Sequence, residues 1–356
     1  MRAHLITGLF AASLLALPLR GDGPSPETLI EAGHWKRARP LIEQRLGANG
    51  NDPNAIYLLA RYKQATGDPD GALPLAEKAC ALDSKNADYR LLLAQVYGQK
   101  AQTASVFSQF GLARRFKKEA EAALALDPNH IPSRLALIEY HLLAPGIAGG
   151  DKAKARVLAD EIMKIDPARG YLALARIASF EKRTDQLESL YRKAVESNPG
   201  YYQALMAMAG FYGSDSQKKY DLAEKYLRDA LRLDPDRISA HAGLASLLGL
   251  QERWQELDAG IVKAEKSVPD NLYPYYQVGN VLLRTGKDLP RAERYFRKYL
   301  TQEPEPGWPL HAHAYWRLGL VLEKQSRKPE SVAALETSVR MKPDLEAAKK
   351  DLKRLK

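Results

Sequence analysis

The 356-residue chain contains one cysteine, Cys80, so no disulfide can form within it. Cys80 stands in the apolar stretch Ala79-Cys80-Ala81-Leu82 and reads as a small buried hydrophobe, not as a reactive thiol. Period-two alternation, the mark of a half-buried strand, is missing throughout. No apolar run reaches the roughly 20 residues that a membrane-spanning helix needs. The glycine-rich segment Gly146 to Lys152 lacks the Gly-Lys-Ser/Thr ending of a phosphate loop, and it joins two helices where such a loop follows a strand. No serine stands in a nucleophile elbow, and the one cysteine reads as core. His34, His130, His141 and His241 lie in different parts of the chain. His311 and His313 stand two apart before Trp316, with no further ligand in sequence reach. The residues therefore supply no catalytic set, no metal site and no cofactor site.

Positive charge is in excess, 53 Lys+Arg against 43 Asp+Glu for a net +10, which raises nucleic acid or an anionic membrane as a partner. Two clusters carry it. Arg114-Arg115-Phe116-Lys117-Lys118 interleaves with Ala113, Phe116 and Ala120 and is diluted by Glu119 and Glu121, as on a solvated helix face. Lys349 to Lys356 is the cleaner patch, but a terminal helix needs a polar face for solubility. At the other end, Arg2 precedes an apolar run from Leu5 to Leu19, interrupted by Thr7, Gly8, Ser13 and Pro18. Residues 1–22 read as a signal peptide or an uncut N-terminal anchor, which points to export. There is no Ala-x-Ala site, and Gly21 or Gly23 are the best small residues for cleavage.

The strongest pattern is a pitch. Pro53, Ser84, Pro128, Pro167, Pro199, Pro235, Pro269, Pro304 and Pro343 follow one another at gaps of 31, 44, 39, 32, 36, 34, 35 and 39 residues. Such a period marks repeats that bury their apolar faces only by stacking on their neighbours. Within each repeat, apolar residues recur every three to four positions, as in Leu222, Ala223, Tyr226, Leu227, Ala230, Leu231 and Leu233. That spacing predicts amphipathic helices. Small residues recur where paired helices approach: Ala60, Ala94, Ala175, Ala209, Ala245, Gly279 and Gly319 in the first helix, and Ala38, Ala72, Ala155, Ala223 and Ala292 in the second. Gly33, Gly67 and Gly286 supply turns, and Asp52-Pro53, Asp127-Pro128, Asp166-Pro167 and Asp234-Pro235 are expected to end helices. Two repeats depart from the pitch. One carries extra residues at 99–110, read as a lengthened second helix through Val106, Phe110, Ala113, Phe116, Ala120 and Leu124. The other replaces its turn with the loop 144–150, with Asp151 as the next helix cap and Ile147 tucked under the loop.

A pattern of Leu-Gly/Ala, Ala, apolar, Ala, Pro at these spacings resembles the tetratricopeptide repeat, as in Leu244-Ala245, Leu257, Ile261, Ala264 and Pro269. The Pro-Gly-Ile-Ala-Gly-Gly turn is similar to that of a group of uncharacterised bacterial members. The resemblance implies an all-α solenoid of about nine helix-turn-helix repeats over residues 27–343, closed by a basic capping helix in 344–356. It also implies that the first helix of each pair lines a concave groove for a polypeptide. The residues placed there are Tyr57, Arg61, Gln64, Gln95, Glu139, Arg176, Tyr276, Asn280, Arg284, Trp316 and Lys324. Arg61 and Arg176 read as lone cations. The expected function is a protein-interaction scaffold at the periplasm or envelope, with no enzymatic role. The alternatives are a basic adaptor on nucleic acid or anionic membrane, or an enzyme accessory subunit with a site in 99–150. No repeat code for nucleic acid is evident, and membrane association requires that the N-terminal segment stay uncut.

Overall fold

The computed structural model describes residues 23–356; the expected export segment, 1–22, lies outside them. Among the described residues there are helices and no strands. They fall into nine pairs and a final single helix. The pairs are α1 (Pro26–Ala32) with α2 (Trp35–Ala48), α3 (Pro53–Ala65) with α4 (Pro69–Leu82), and α5 (Ala87–Thr103) with α6 (Val106–Leu126). Next come α7 (Ile131–Leu143) with α8 (Lys152–Ile165), α9 (Pro167–Phe180) with α10 (Leu187–Ser197), and α11 (Tyr202–Gly213) with α12 (Tyr220–Leu233). The last are α13 (Ile238–Leu250) with α14 (Trp254–Ser267), α15 (Tyr273–Thr285) with α16 (Leu289–Tyr299), and α17 (His311–Lys324) with α18 (Lys328–Met341). The single helix is α19 (Glu346–Leu355). Each helix packs on its partner and on the next pair, so the array is an α-solenoid.

The helix ends have local causes. Asp52, Asp68, Asn86, Asp151, Asp166 and Asp288 each accept a backbone N–H of the first turn of the helix that follows. Asp127 and Asp234 close α6 and α12 as expected. Asp166 both closes α8 and opens α9. Asp52-Pro53 differs: α2 has already stopped at Ala48, so Asp52 only opens α3, with Pro53 in the first turn where its missing N–H costs nothing. The turns of three pairs use left-handed glycines, Gly33, Gly67 and Gly286. In the pairs built on α9, α13 and α17, Lys182, Glu252 and Ser326 take that conformation instead, at φ of 61°, 58° and 62°. Each pays about 1–2 kcal/mol for a β-carbon that glycine lacks.

The small residues mark the close approaches. Ala60, Ala94, Ala175, Ala38, Ala72 and Ala292 are completely buried. A β-carbon added at Gly279 would lie 2.9 Å from the Phe296 ring, and one at Gly319 would lie 2.8 Å from Leu335. Cys80 is buried as well, and burial pushes its thiol up to about 11.

The ten extra residues of the third pair are shared. α5 gains a turn at its end and α6 starts early, with a break at Ala104 and Ser105. One contact lies outside the repeat logic. The start of α2 meets the loops before α15 and α17, so the first pair touches the eighth. Lys36 donates its backbone N–H to Glu305 Oε2 at 2.9 Å and its ammonium to the Glu303 carbonyl at 2.7 Å. Arg37 is paired with Asp270 at 2.5 Å.

Candidate functional site

Four of the expected groove residues line one hollow of about 1060 Å³: Arg61 and Gln64 from α3, Gln95 from α5 and Glu139 from α7. They stand on first helices of successive pairs, and Tyr57, Arg61 and Gln64 share one face of α3 because they are four and three residues apart. Tyr57 lines an adjoining hollow of about 390 Å³ together with Arg61 and Gln95. The Arg61 guanidinium carbon lies 5.7 Å from the Trp35 ring centre and 5.6 Å from that of Tyr57. Tyr57 is itself held against Tyr89 at 4.8 Å, and burial raises its hydroxyl above the usual tyrosine range. No carboxylate pairs with Arg61 among the described residues, so two rings, one of them Tyr57, hold the cation.

The far wall comes from the two departures from the pitch. Phe110, Ala113 and Phe116 face the hollow from α6, Leu143 faces it from the end of α7, and Pro145 and Ala148 face it from the loop that follows. That loop contains a one-turn 3-10 helix, Gly146–Ala148, and is tightly held. The Tyr140 hydroxyl donates to the Ala148 carbonyl, and Tyr140 stacks on Phe116 at 5.9 Å. His141 Nδ1 lies 3.2 Å from the Gly149 carbonyl oxygen, and the Asp151 N–H donates to the His141 carbonyl at 3.0 Å. Gly150 is required, because a β-carbon there would collide with the Ala144 carbonyl. Asp151 caps α8 as expected. Ile147 does not tuck under: it is 91% exposed, because Ala148 and Pro145 already fill the inward side.

The other expected residues do not join this hollow. Arg176 is not a lone cation, since its Nε lies 2.6 Å from Glu139 Oε1 on the neighbouring pair. Tyr276 is buried, with its ring 5.6 Å from Phe296 and 5.1 Å from Tyr299, and belongs to the core. Asn280 donates back to the Tyr276 carbonyl at 3.1 Å. Arg284 reaches Asp215 at 2.8 Å. Trp316 donates its indole N–H to Asp351 at 2.8 Å and ties α17 to α19, while Lys324 is exposed. Sequence reasoning missed Trp35, Gln99, Gln102, Gln109 and Leu143 as lining residues. For Gln99, Gln102 and Gln109 the signal was the extra length at 99–110, which places side chains beyond the repeat register; Leu143 borders the loop 144–150, and Trp35, at the start of α2, carried no such signal. His311 and His313 diverge: His311 Nε2 lies 2.9 Å from the Gln302 carbonyl, and burial lowers the pKa of His313. No helix of the described residues is long and apolar enough to cross a membrane.

Sequence models of the tetratricopeptide repeat match residues 53–96, 168–201, 203–237 and 276–346. The chain is 25% identical over 326 residues to cellulose synthase operon protein C of Pseudomonas fluorescens, covering 74% of this chain and 25% of that protein. It is also 25% identical over 210 residues to the human protein O-mannosyl-transferase TMTC3, covering 58% of this chain and 22% of that protein. The chain thus spans about a quarter or less of the length of these relatives. Among solved structures, yeast Tom70 superimposes with a TM-score of 0.54 at 12% identity, over 93% of this chain and 79% of that one. A repeat protein from Parabacteroides merdae gives 0.46 at 17% identity, over 74% and 98%. At these identities the structural likeness concerns the fold.

Proposed function

Since the chain belongs to the tetratricopeptide repeat family, we propose that it is a non-enzymatic scaffold that holds another polypeptide along its first-helix face, at the bacterial cell envelope. One observation carries the reading: five side chains from three successive first helices line two adjoining hollows that share Arg61 and Gln95. Amides, a ring-held cation and aromatics are what an extended peptide needs, with hydrogen bonds for its backbone and flat surfaces for its side chains. The envelope location rests on Arg2 and the apolar run Leu5 to Leu19.

The test is site-specific photocrosslinking in cells. A benzophenone side chain replaces Gln95 on the first-helix face or Lys164 on the exposed side of a second helix. The expected result is a discrete polypeptide adduct at position 95, in the periplasmic or envelope fraction, and none at position 164. An adduct only at 164 would move the site to the opposite face. An adduct confined to the cytosol would refute the location.

A further inference from the structure

The 99–110 and 144–150 segments have no place in the repeat, yet the fold brings them to one spot. Together with Leu143, the last residue of α7, they expose four large apolar side chains: Phe107 at 93%, Ile147 at 91%, Leu143 at 68% and Phe110 at 40%. Soluble proteins scatter such residues singly, whereas a cluster beside a hollow marks an interaction surface. Phe110 and Leu143 line the hollow itself, so part of this exposed apolar surface is the wall of the cavity. The loop that presents Ile147 is fixed by the Tyr140 and His141 hydrogen bonds and by stacking on Phe116. A rigid mount loses little entropy when its apolar tip is covered.

Charge selects the occupant. Among the described residues Glu139 is the one carboxylate lining the larger hollow, and Arg176 already neutralises it. Among the described residues Arg61 has no carboxylate partner, and neither do Arg114 and Lys118, which stand exposed on α6, one to two turns past Phe110. The lining mixes apolar side chains with five glutamines, and Arg61 is its one charge without an ionic partner among the described residues. We propose that the two departures form the anchoring end of the groove. This end takes at least two large apolar side chains of an acidic polypeptide segment, whose carboxylates meet Arg61, Arg114 and Lys118. The hollow exceeds what one side chain fills, just above the roughly 300–1,000 Å³ of ligand pockets. Arg61 and Gln95 also line the adjoining hollow, whose Glu27, Glu31 and Asp88 confine the acidic part of the segment to the α6 end. The assignment rests on the first-helix face being the polypeptide site.

The test selects peptides of about 12 residues from a random display library on the full chain and measures winning synthetic peptides by fluorescence anisotropy. The winners should carry paired Phe, Leu, Ile or Trp with Asp or Glu between them. Phe110→Ser/Leu143→Ser should weaken them by at least about tenfold, and Arg114→Glu/Lys118→Glu should weaken acidic winners and steepen nothing in their neutral analogues. Because all four positions are at least two-fifths exposed or on the outer turn, circular dichroism and melting should stay as in the unmodified chain. Basic winners, or winners unaffected by Phe110→Ser/Leu143→Ser but weakened by Gln95→Ala, would overturn this assignment and leave the groove standing. Winners indifferent to all of these changes, or no winners, would overturn both. Vesicles of mixed phosphatidylglycerol and phosphatidylcholine provide the last arm. Sedimentation of the chain with them, abolished by Ile147→Glu, would assign the patch to a membrane surface and refute the peptide anchor.

Discussion

Phe296→Ala is expected to lower the stability of the chain by about 3–5 kcal/mol, the usual cost of deleting a fully buried aromatic ring. Phe296 is completely buried, lies over the bare backbone of Gly279 and meets Tyr276 edge-on at 5.6 Å. It joins one pair internally and supports the contacts to the next. Gly279→Ala should destabilise on its own, because the new β-carbon falls 2.9 Å from the ring. In the Phe296→Leu background the same change should cost less, a coupling that a double-mutant cycle in urea would measure. Additive effects would mean that Gly279 and Phe296 do not share space.

The second large effect is a pH dependence at the contact between the first and eighth pairs. Glu305 is 1% exposed, and burial pushes its carboxyl up to about 7, against the lowering pull of the Lys36 N–H and charge. Glu305 Oε1 and Asp270 Oδ2 are both buried without a partner among the described residues, and a proton on Glu305 lets it donate to Asp270. The folded chain therefore holds a proton that the unfolded chain releases near the ordinary glutamate value of 4.5. This contribution is fully present below about pH 4.5 and is lost as pH rises through about 7, amounting to roughly 3 kcal/mol at most. Glu305→Gln keeps a donor for Asp270 and removes the titration. It should raise stability at pH 8 and flatten the curve between pH 4.5 and 7. Other charges face the same spot: His34, Lys36 and Arg37 from the first pair, Asp270, and Glu303 and His311 from the loop before α17. His34 works the other way, since burial lowers its pKa and costs stability as pH falls through its usual 6.5. Melting both proteins across pH 4 to 9 and taking their difference isolates Glu305. Parallel curves would refute the assignment.

Much of the fold was legible because repeats state their rules many times over. Proline pitch, small residues at the helix crossings and three-to-four spacing each depend on contacts within about one repeat, so local sequence encodes them. The candidate site was legible in part. Tyr57, Arg61, Gln64, Gln95 and Glu139 follow from the first-helix register. Tyr276 does not, because a ring next to Gly279 can turn inward over Phe296 as readily as outward. Arg176 was misread as lone because its partner, Glu139, sits on another pair. The meeting of Lys36 with Glu305 spans 269 residues and depends on the accumulated turn of the whole array, which no local pattern records. The convergence of 99–110 with 144–150 escaped for a related reason: each is an exception to the repeat, and exceptions carry no register.

Amide hydrogen exchange of the full chain, with and without a library-selected peptide, tests the central claim most directly. Exchange should slow in α3, α5 and α7 and in the segments 104–110 and 144–150, while the second helices α4 and α8 and the basic end at 349–356 keep their rates. Protection confined to those second helices or to the basic end would contradict a first-helix polypeptide scaffold.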